Sequence, residues 1–247
     1  MILIKKLTNT TWKKCLWIFI VVFIIILLVK IPKKQNKEDK LSLSFKASIK
    51  RLTKNKTYRE GVVAQFFYVG AQITCWTFII QYGTQVFMQE GLTEQAAEIY
   101  SQKLNILAML MFCCSRFINT YLMKFFKPTK MLIFFSICAI ILLLPTIFVG
   151  GRAGIYSLVA VSVCMSLMFP TIYALALGKI EKDTEIGSAG LIMAILGGSL
   201  LPALQAVIID SKGLLGISSM NISFVIPMIC FVVVMIFGIR TTKRIKN

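Results

Sequence analysis

Seven long apolar runs dominate this chain of 247 residues. They occupy 15–31, 61–86, 99–123, 131–149, 153–178, 188–209 and 218–239. An α-helix needs about 20 apolar residues to cross a bilayer, and the runs are close to that length or longer. Because 57% of the residues are hydrophobic and only 15% are charged, a globular core could not absorb this apolar surface. The sequence therefore predicts an all-α polytopic membrane helical bundle of about seven transmembrane helices.

Positive charge between alternate runs predicts the orientation of the chain. Segment 32–59 holds ten Lys or Arg residues, and more basic residues lie at 124–130 and 240–246. The other connections are acidic or nearly neutral. Since positively charged loops stay in the cytoplasm, we expect 32–59 and the C-terminus on the cytoplasmic side of the inner (plasma) membrane. The net charge of +18 then reflects topology and not nucleic-acid binding, which would need a basic, folded polar domain.

The first 14 residues break this alternation. Seven spans would place the N-terminus outside, yet residues 1–14 contain four lysines. A signal peptide would explain a basic start, but no small-residue cleavage site follows the run 15–31. We therefore expect the chain to begin partway through a larger transporter.

The apolar runs contain no Asp, Glu or His. Such a residue would be required inside the membrane as a general base, a metal ligand or a proton carrier. The seven cysteines lie within apolar runs without metal-ligand spacing, and we interpret them as small packed hydrophobic residues. A retinal protein is disfavoured as well, because the last run has no Lys for a Schiff base. We expect no enzymatic activity, no metal and no cofactor.

One helical face of the run 61–86 is polar and aromatic. Gln65, Tyr68, Gln72 and Trp76 follow one another at helical spacing and share that face. They could bond neighbouring helices as polar contacts within the bundle. They could also bind a neutral polyhydroxylated ligand, because amides donate and accept hydrogen bonds while the indole covers the C–H face of a sugar ring. We favour the ligand, since polar side chains in spans are seldom without function.

Further candidates lie in the later runs. Ser166, Phe169 and Tyr173 share one helical face, which taken alone favours a packed, proline-bent helix over a binding site. Asn105 is a candidate cavity residue. Together with the stripe at 65–76 they form the predicted substrate-binding set. A second set is predicted to serve gating or structure: Arg116, Pro170, Gly197 and Gly198. Pro170 permits a kink, and the two glycines permit close helix approach.

Several motifs resemble, in order, the L-fucose:proton symporter family of the major facilitator superfamily. They are Ala64–Gln72 with Cys75-Trp76, Ser115-Arg116-Phe117, Phe169–Ile172, Asp183-Thr184 and Gly187-Ser188. The resemblance covers about 60–240 and implies helices seven to twelve of the family's fold, with 15–31 similar to the sixth. It implies a monosaccharide such as L-fucose, with a proton as co-substrate, bound where two six-helix halves meet.

The family's embedded carboxylates lie on its first and fourth helices, which have no counterpart in this sequence. The resemblance therefore implies that this chain contains the sugar-contacting wall and that proton coupling comes from elsewhere. The predicted organisation is an N-terminal segment 1–14, a transmembrane helix 15–31, a basic linker 32–59, a six-helix half 60–240 and a tail 241–247.

Two interpretations of function stay open at this point. The chain is the C-terminal half of a sugar:proton symporter that needs the missing half, or it is a truncated, non-transporting remnant or membrane interaction protein. A half-bundle alone would turn polar groups toward the lipid bilayer. We therefore expect a separate N-terminal half as partner, or self-association.

Overall fold

A computed structural model of the chain describes residues 41–178, 180, 183–210 and 218–246, and every regular element among them is helical. The helices are α1 (Leu41–Lys54), α2 (Lys56–Gln89), α3 (Glu94–Leu122), α4 (Pro128–Leu144), α5 (Gly151–Met165), α6 (Met168–Leu177), α7 (Thr184–Met193), α8 (Gly197–Asp210), α9 (Ser219–Ser223) and α10 (Val225–Lys246). The site lies in the compact unit Ser44–Asn247. The predicted transmembrane helix 15–31 lies outside the described residues.

Six helical stretches among the described residues are long and apolar enough to cross a membrane. They are Lys56–Gln89, Glu94–Leu122, Pro128–Val149, Gly151–Leu177, Thr184–Asp210 and Ser219–Ile245. These stretches coincide with the last six predicted runs, and the all-α membrane bundle is thereby confirmed.

The first of these spans begins earlier than its apolar run. Helix α2 starts at Lys56 and not at 61, because Asn55 caps it: its Oδ1 accepts the backbone N–H groups of Thr57 at 3.0 Å and Tyr58 at 3.2 Å. The predicted linker 32–59 therefore contains helix α1 and also the first turn of α2.

Two spans are broken four residues before a proline. The helix of Gly151–Leu177 is interrupted at Ser166 and Leu167, between α5 and α6. Pro170 has no N–H to donate to the carbonyl of Ser166, so the regular hydrogen-bond ladder fails there. Pro227 has the same relation to Ser223, and the chain breaks at Phe224 between α9 and α10. The kink predicted from Pro170 is present as this break.

Helix α2 is the central helix of the unit. It packs against α3, α5, α6, α8 and α10, and 56% of the residues in its apolar stretch are buried. The spans Glu94–Leu122 and Thr184–Asp210 are much less covered, with 22% and 28% buried. These two spans are the least covered of the spans in the described part of the chain.

Glycines bring α8 against α2. A Cβ at Gly197 would overlap the carbonyl oxygen of Phe66, and a Cβ at Gly198 would lie 2.9 Å from Cδ1 of Ile73. The side chain of Leu201 fills the space where Gly70 has no Cβ. Gly197 and Gly198 are therefore required for the close approach of the two backbones.

Helix α1 is attached to the beginning of α7. Arg51 binds the carboxylate of Asp183 through two nitrogens, at 2.7 and 2.8 Å, and Ser48 Oγ donates to the same carboxylate at 2.7 Å. The hydrogen bond with Asp183 raises the pKa of Arg51 above its ordinary value. Leu52 is buried in a small core with Tyr58, whereas Ile49 is 40% exposed. The helical spacing of Leu41, Phe45, Ile49 and Leu52 in the sequence is typical of a surface helix, and α1 occupies this stretch.

Candidate functional site

The predicted stripe on α2 lies at the middle of the longest span. Gln72 is at the midpoint of Lys56–Gln89, and a bilayer centred on this helix would place it near the membrane centre. Gln65 and Tyr68 are completely buried inside the unit, whereas Gln72 and Trp76 are half-buried. The stripe therefore runs from the interior of the unit to its surface.

Tyr68 bonds the break between α5 and α6. Its hydroxyl donates to the carbonyl oxygen of Met165, the last residue of α5, at 2.8 Å. Its ring meets that of Phe169 edge-on, with centroids 6.3 Å apart, and Phe169 stacks on Tyr173 at 6.5 Å. Phe169 and Tyr173 are half-buried, so the aromatic group reaches the surface through them.

Trp76 connects α2 with α3 and α5. Its Nε1–H donates to Ser162 Oγ at 3.2 Å, and its ring meets Phe112 edge-on with centroids 5.0 Å apart. These contacts fix the plane of the indole while leaving part of it uncovered. A fixed, partly exposed aromatic face of this kind can accept the C–H face of a sugar ring.

Ser166 makes its side-chain hydrogen bonds inside the unit. Its Oγ accepts from Asn119 Nδ2 at 2.8 Å and donates to the carbonyl of Val163 at 2.9 Å. Both Ser166 and Asn119 are buried. Asn105, on the same helix as Asn119, is half-buried, and its Oδ1 has no hydrogen-bond partner among the described residues.

Gln65 is the least satisfied polar side chain of the set. It is completely buried, and neither its amide oxygen nor its amide nitrogen has a hydrogen-bond partner in the described part of the chain. A buried polar group without a partner costs about 1–3 kcal/mol. Such a cost is seldom kept in a native structure without a ligand, a water or another conformation that satisfies the group.

The predicted gating set occupies three different places. Arg116 is exposed on α3, and its guanidinium makes no ion pair within the described residues. Pro170 accompanies the break beside Ser166, and Gly197 and Gly198 contact α2 beside Phe66 and Ile73. The two glycines therefore contact α2 near the depth of Gln72, but on another face of the helix.

Sequence reasoning missed four residues that belong to this region: Phe112, Asn119, Ser162 and Gln205. Gln205 is completely buried and donates from Nε2 to Ser223 Oγ at 3.0 Å. Asn119 and Gln205 are amides within apolar runs, so the criterion that selected Gln65 would also have found them. Phe112 and Ser162 carry no comparable sequence signal.

Several sugar transporters align with nearly the whole of this sequence. The chain is 45% identical to the L-fucose-proton symporter of Haemophilus influenzae over 230 residues, which are 93% of this chain and 52% of that protein. It is 34% identical to the L-fucose-proton symporter of Escherichia coli K12 over 232 residues, 93% of this chain and 50% of the relative. A glucose/galactose transporter of Brucella abortus is 30% identical over 228 residues, with coverages of 91% and 51%. No protein-family model matches the chain.

Solved structures agree with these relatives. The crystal structure of a single-residue variant of the E. coli fucose:proton symporter FucP superposes with a TM-score of 0.77 at 31% identity, covering 94% of this chain and 55% of that one. FucP in the outward conformation gives the same TM-score at 30% identity, covering 94% and 54%. The chain spans about half the length of the relatives it matches, and these relatives are transporters and not enzymes. In sequence and fold, this chain is similar to the C-terminal half of an L-fucose:proton symporter of the major facilitator superfamily.

Proposed function

We propose that this chain forms the substrate-binding half of a monosaccharide:proton symporter with an L-fucose-like substrate. The observation that carries the proposal is the amide and aromatic cluster at the middle of α2 in a chain whose relatives are named as sugar transporters. Its polar groups are neutral and can bind the hydroxyl groups of an uncharged sugar. Proton coupling is assigned to an N-terminal half, because the apolar runs hold no Asp, Glu or His.

The half-buried residues are the proposed sugar contacts. Gln72 supplies an amide that donates and accepts, and Trp76 supplies a flat apolar face. Phe169 and Tyr173 extend this face across the break between α5 and α6. Asn105 contributes an unpartnered amide oxygen from α3.

We assign the buried residues a different role from that of the half-buried ones. Tyr68 and Ser166 hold the ends of the broken span and position Phe169 beside α2. Gln65 is sealed in this conformation, and we propose that it meets substrate or water when α2 and α6 separate. Its two unpartnered amide atoms support this assignment.

The partner is proposed to be an N-terminal half, supplied as a separate chain or as the missing part of a longer one. The low burial of Glu94–Leu122 and Thr184–Asp210 supports a partner surface on these spans. Self-association through the same spans is the alternative arrangement. It fits the second candidate function, a non-transporting membrane interaction protein.

An uptake assay tests the proposal. Cells without fucose uptake receive this chain alone, an N-terminal half of the Haemophilus relative alone, or both, and accumulation of labelled L-fucose is measured. We expect uptake only with both halves, and its loss in Gln72→Ala and in Trp76→Ala. The control is Ile141→Ala, which shortens an exposed apolar side chain of α4, outside the two spans of the proposed partner surface. Absence of uptake with both halves in the membrane contradicts the proposed function, and uptake that survives both substitutions contradicts the site.

A further inference from the structure

One face of α2 changes from apolar to polar past the midpoint of the helix. Residues three or four positions apart on one helix share a face. On this face the first half of α2 carries apolar or small residues and the second half carries polar ones: Val63, Phe66, Gly70 and Ile73, then Thr77, Gln81 and Gln85. The change in polarity implies a change in what the face meets.

The apolar half of this face is closed by α8. Gly197 lies against Phe66, Gly198 against Ile73, and Leu201 fills the space over Gly70. The polar half borders a crevice of about 940 Å³, in which Ile209 at the end of α8 forms part of the wall. The two helices therefore touch along one half of α2 and leave an open space along the other.

Amides and hydroxyls dominate the α2 wall of this crevice. Gln81, Gln85 and Gln89 line it together with Thr77 and Thr84. Gln85 Nε2 lies 3.4 Å from Ser218 Oγ, a long hydrogen bond that a solute could replace. With Gln72 at the membrane centre, Thr77 and Gln81 lie within about 15 Å of that centre, whereas Thr84, Gln85 and Gln89 lie beyond it and reach the headgroup region. Thr77 and Gln81 would be costly against lipid hydrocarbon, so the inner part of this wall must face water or a polar solute.

The opposite wall carries negative charge. Glu94 and Glu98 come from the first two turns of α3, and Glu98 accepts from Gln102 at 3.0 Å. Among the described residues that line the crevice none is Lys or Arg, although the whole chain has a net charge of +18. Two carboxylates repel an anionic solute, whereas amides and carboxylates both bind hydroxyl groups.

We propose that this crevice is a second binding site, specific for a neutral hydroxylated solute, and that Glu94 and Glu98 exclude sugars that carry an anionic group. Thr77, its innermost residue on α2, directly follows Trp76 in the sequence, so the crevice begins at the outer end of the mid-span cluster, on a neighbouring face of the helix. The biological meaning of the crevice rests on the proposed function: it selects neutral sugars before they reach Gln72 and Trp76. The binding site itself is built by this chain alone.

The test is nuclear magnetic resonance of the full chain in lipid nanodiscs with ¹³C-methyl methionine. Met88 and Met220 line the crevice, whereas Met165 and Met168 lie buried near Tyr68 and report on the mid-span cluster. Titration with D-galactose is expected to shift the Met88 and Met220 signals. The double substitution Gln81→Leu with Gln85→Leu is expected to weaken this binding about ten-fold, as the loss of about two neutral hydrogen bonds requires.

Gln95→Leu is the matched control, because Gln95 is an exposed glutamine of α3 outside the crevice. It is expected to leave the titration unchanged. Absence of a Met88 or Met220 shift at saturating D-galactose overturns the proposal. An unchanged affinity in the double glutamine variant overturns it too.

D-Galacturonate, which differs from D-galactose by a carboxylate at C6, tests the selectivity. At low salt, where the Debye length is about 30 Å, it is expected to cause no shift in the parent chain. It is expected to bind once Glu94→Gln and Glu98→Gln remove the charge. Equal binding of both sugars to the parent chain overturns the assigned role of the carboxylates. If the crevice signals shift but the cell assay shows no uptake, only the proposed transport function is contradicted. If uptake occurs but the crevice signals do not shift, only the crevice site is contradicted.

Discussion

The hydroxyl of Tyr68 and the backbone carbonyl of Met165 form a hydrogen bond at the point where helix α5 stops. The carbonyls of the last turn of a helix have no partner within it, and here a side chain from the central helix supplies one. The bond therefore holds the broken span Gly151–Leu177 against α2 at the depth of the candidate site.

We expect Tyr68→Phe to destabilise the protein by removing this bond. The carbonyl of Met165 would remain buried without that donor, at a cost of about 1–3 kcal/mol and a decrease in Tm of about 2–10 °C. Thermal unfolding in detergent measures the change. Tyr156→Phe, at a tyrosine of α5 that is 56% exposed, is the control and is expected to leave Tm unaltered. Equal melting of the two variants would show that the bond is unimportant for stability.

Gly197→Ala is expected to separate α8 from α2. The new methyl group would overlap the carbonyl oxygen of Phe66, which is backbone and cannot rotate away. We expect a loss of about 1–3 kcal/mol, although alanine normally stabilises a helix relative to glycine. Ser199→Ala, at an exposed neighbour on α8, controls for the helix propensity. An unchanged or higher Tm for Gly197→Ala would contradict the close approach.

Arg51→Ala is expected to release α1 from the start of α7. The two bonds from the guanidinium to Asp183 would be lost, while Ser48 would still donate to the carboxylate. Backbone amides of α1 should then exchange with deuterium faster, and high salt should reproduce part of the effect in the parent chain. Lys50→Ala removes an exposed charge on the same helix and should leave exchange unchanged. Similar exchange in the two variants would argue against the ion pair as the attachment.

The orientation predicted from charge is tested with two single cysteines in a background without native cysteines. Lys243→Cys lies near the C-terminus and Gln95→Cys lies at the start of α3, just after the connection from α2, and both positions are exposed. An impermeant maleimide added to intact cells should label Gln95→Cys, and it should reach Lys243→Cys only after permeabilisation. The reverse pattern would place the C-terminus outside and refute the charge argument.

The spans and one of their breaks could be read from the sequence because both follow from local chemistry. A run of about 20 apolar residues predicts a membrane helix wherever it occurs. A proline removes the hydrogen bond to the carbonyl four residues upstream. Pro170 therefore located the break at Ser166. The early start of α2 could also have been predicted, since an asparagine before a helix is a common cap.

The candidate site was only partly predictable because helical spacing identifies a face and not what covers it. Gln65 and Gln72 lie on one face of α2, yet one is sealed and the other reaches the surface. That difference depends on how α2 packs against its neighbours, and no spacing rule contains it. The pairing of Trp76 with Ser162 is likewise a contact between distant segments, which only the fold brings together.

The hydrogen bonds of α1 connect this helix to the span Thr184–Asp210. Tyr58, in the first turns of α2, donates to the carbonyl of Gly187 at 3.0 Å, while Arg51 and Ser48 hold Asp183 beside it. A tilt of Thr184–Asp210 would therefore pull on α1, which lies away from the proposed sugar site. A fluorophore at Lys50, an exposed residue of α1, would report such a movement.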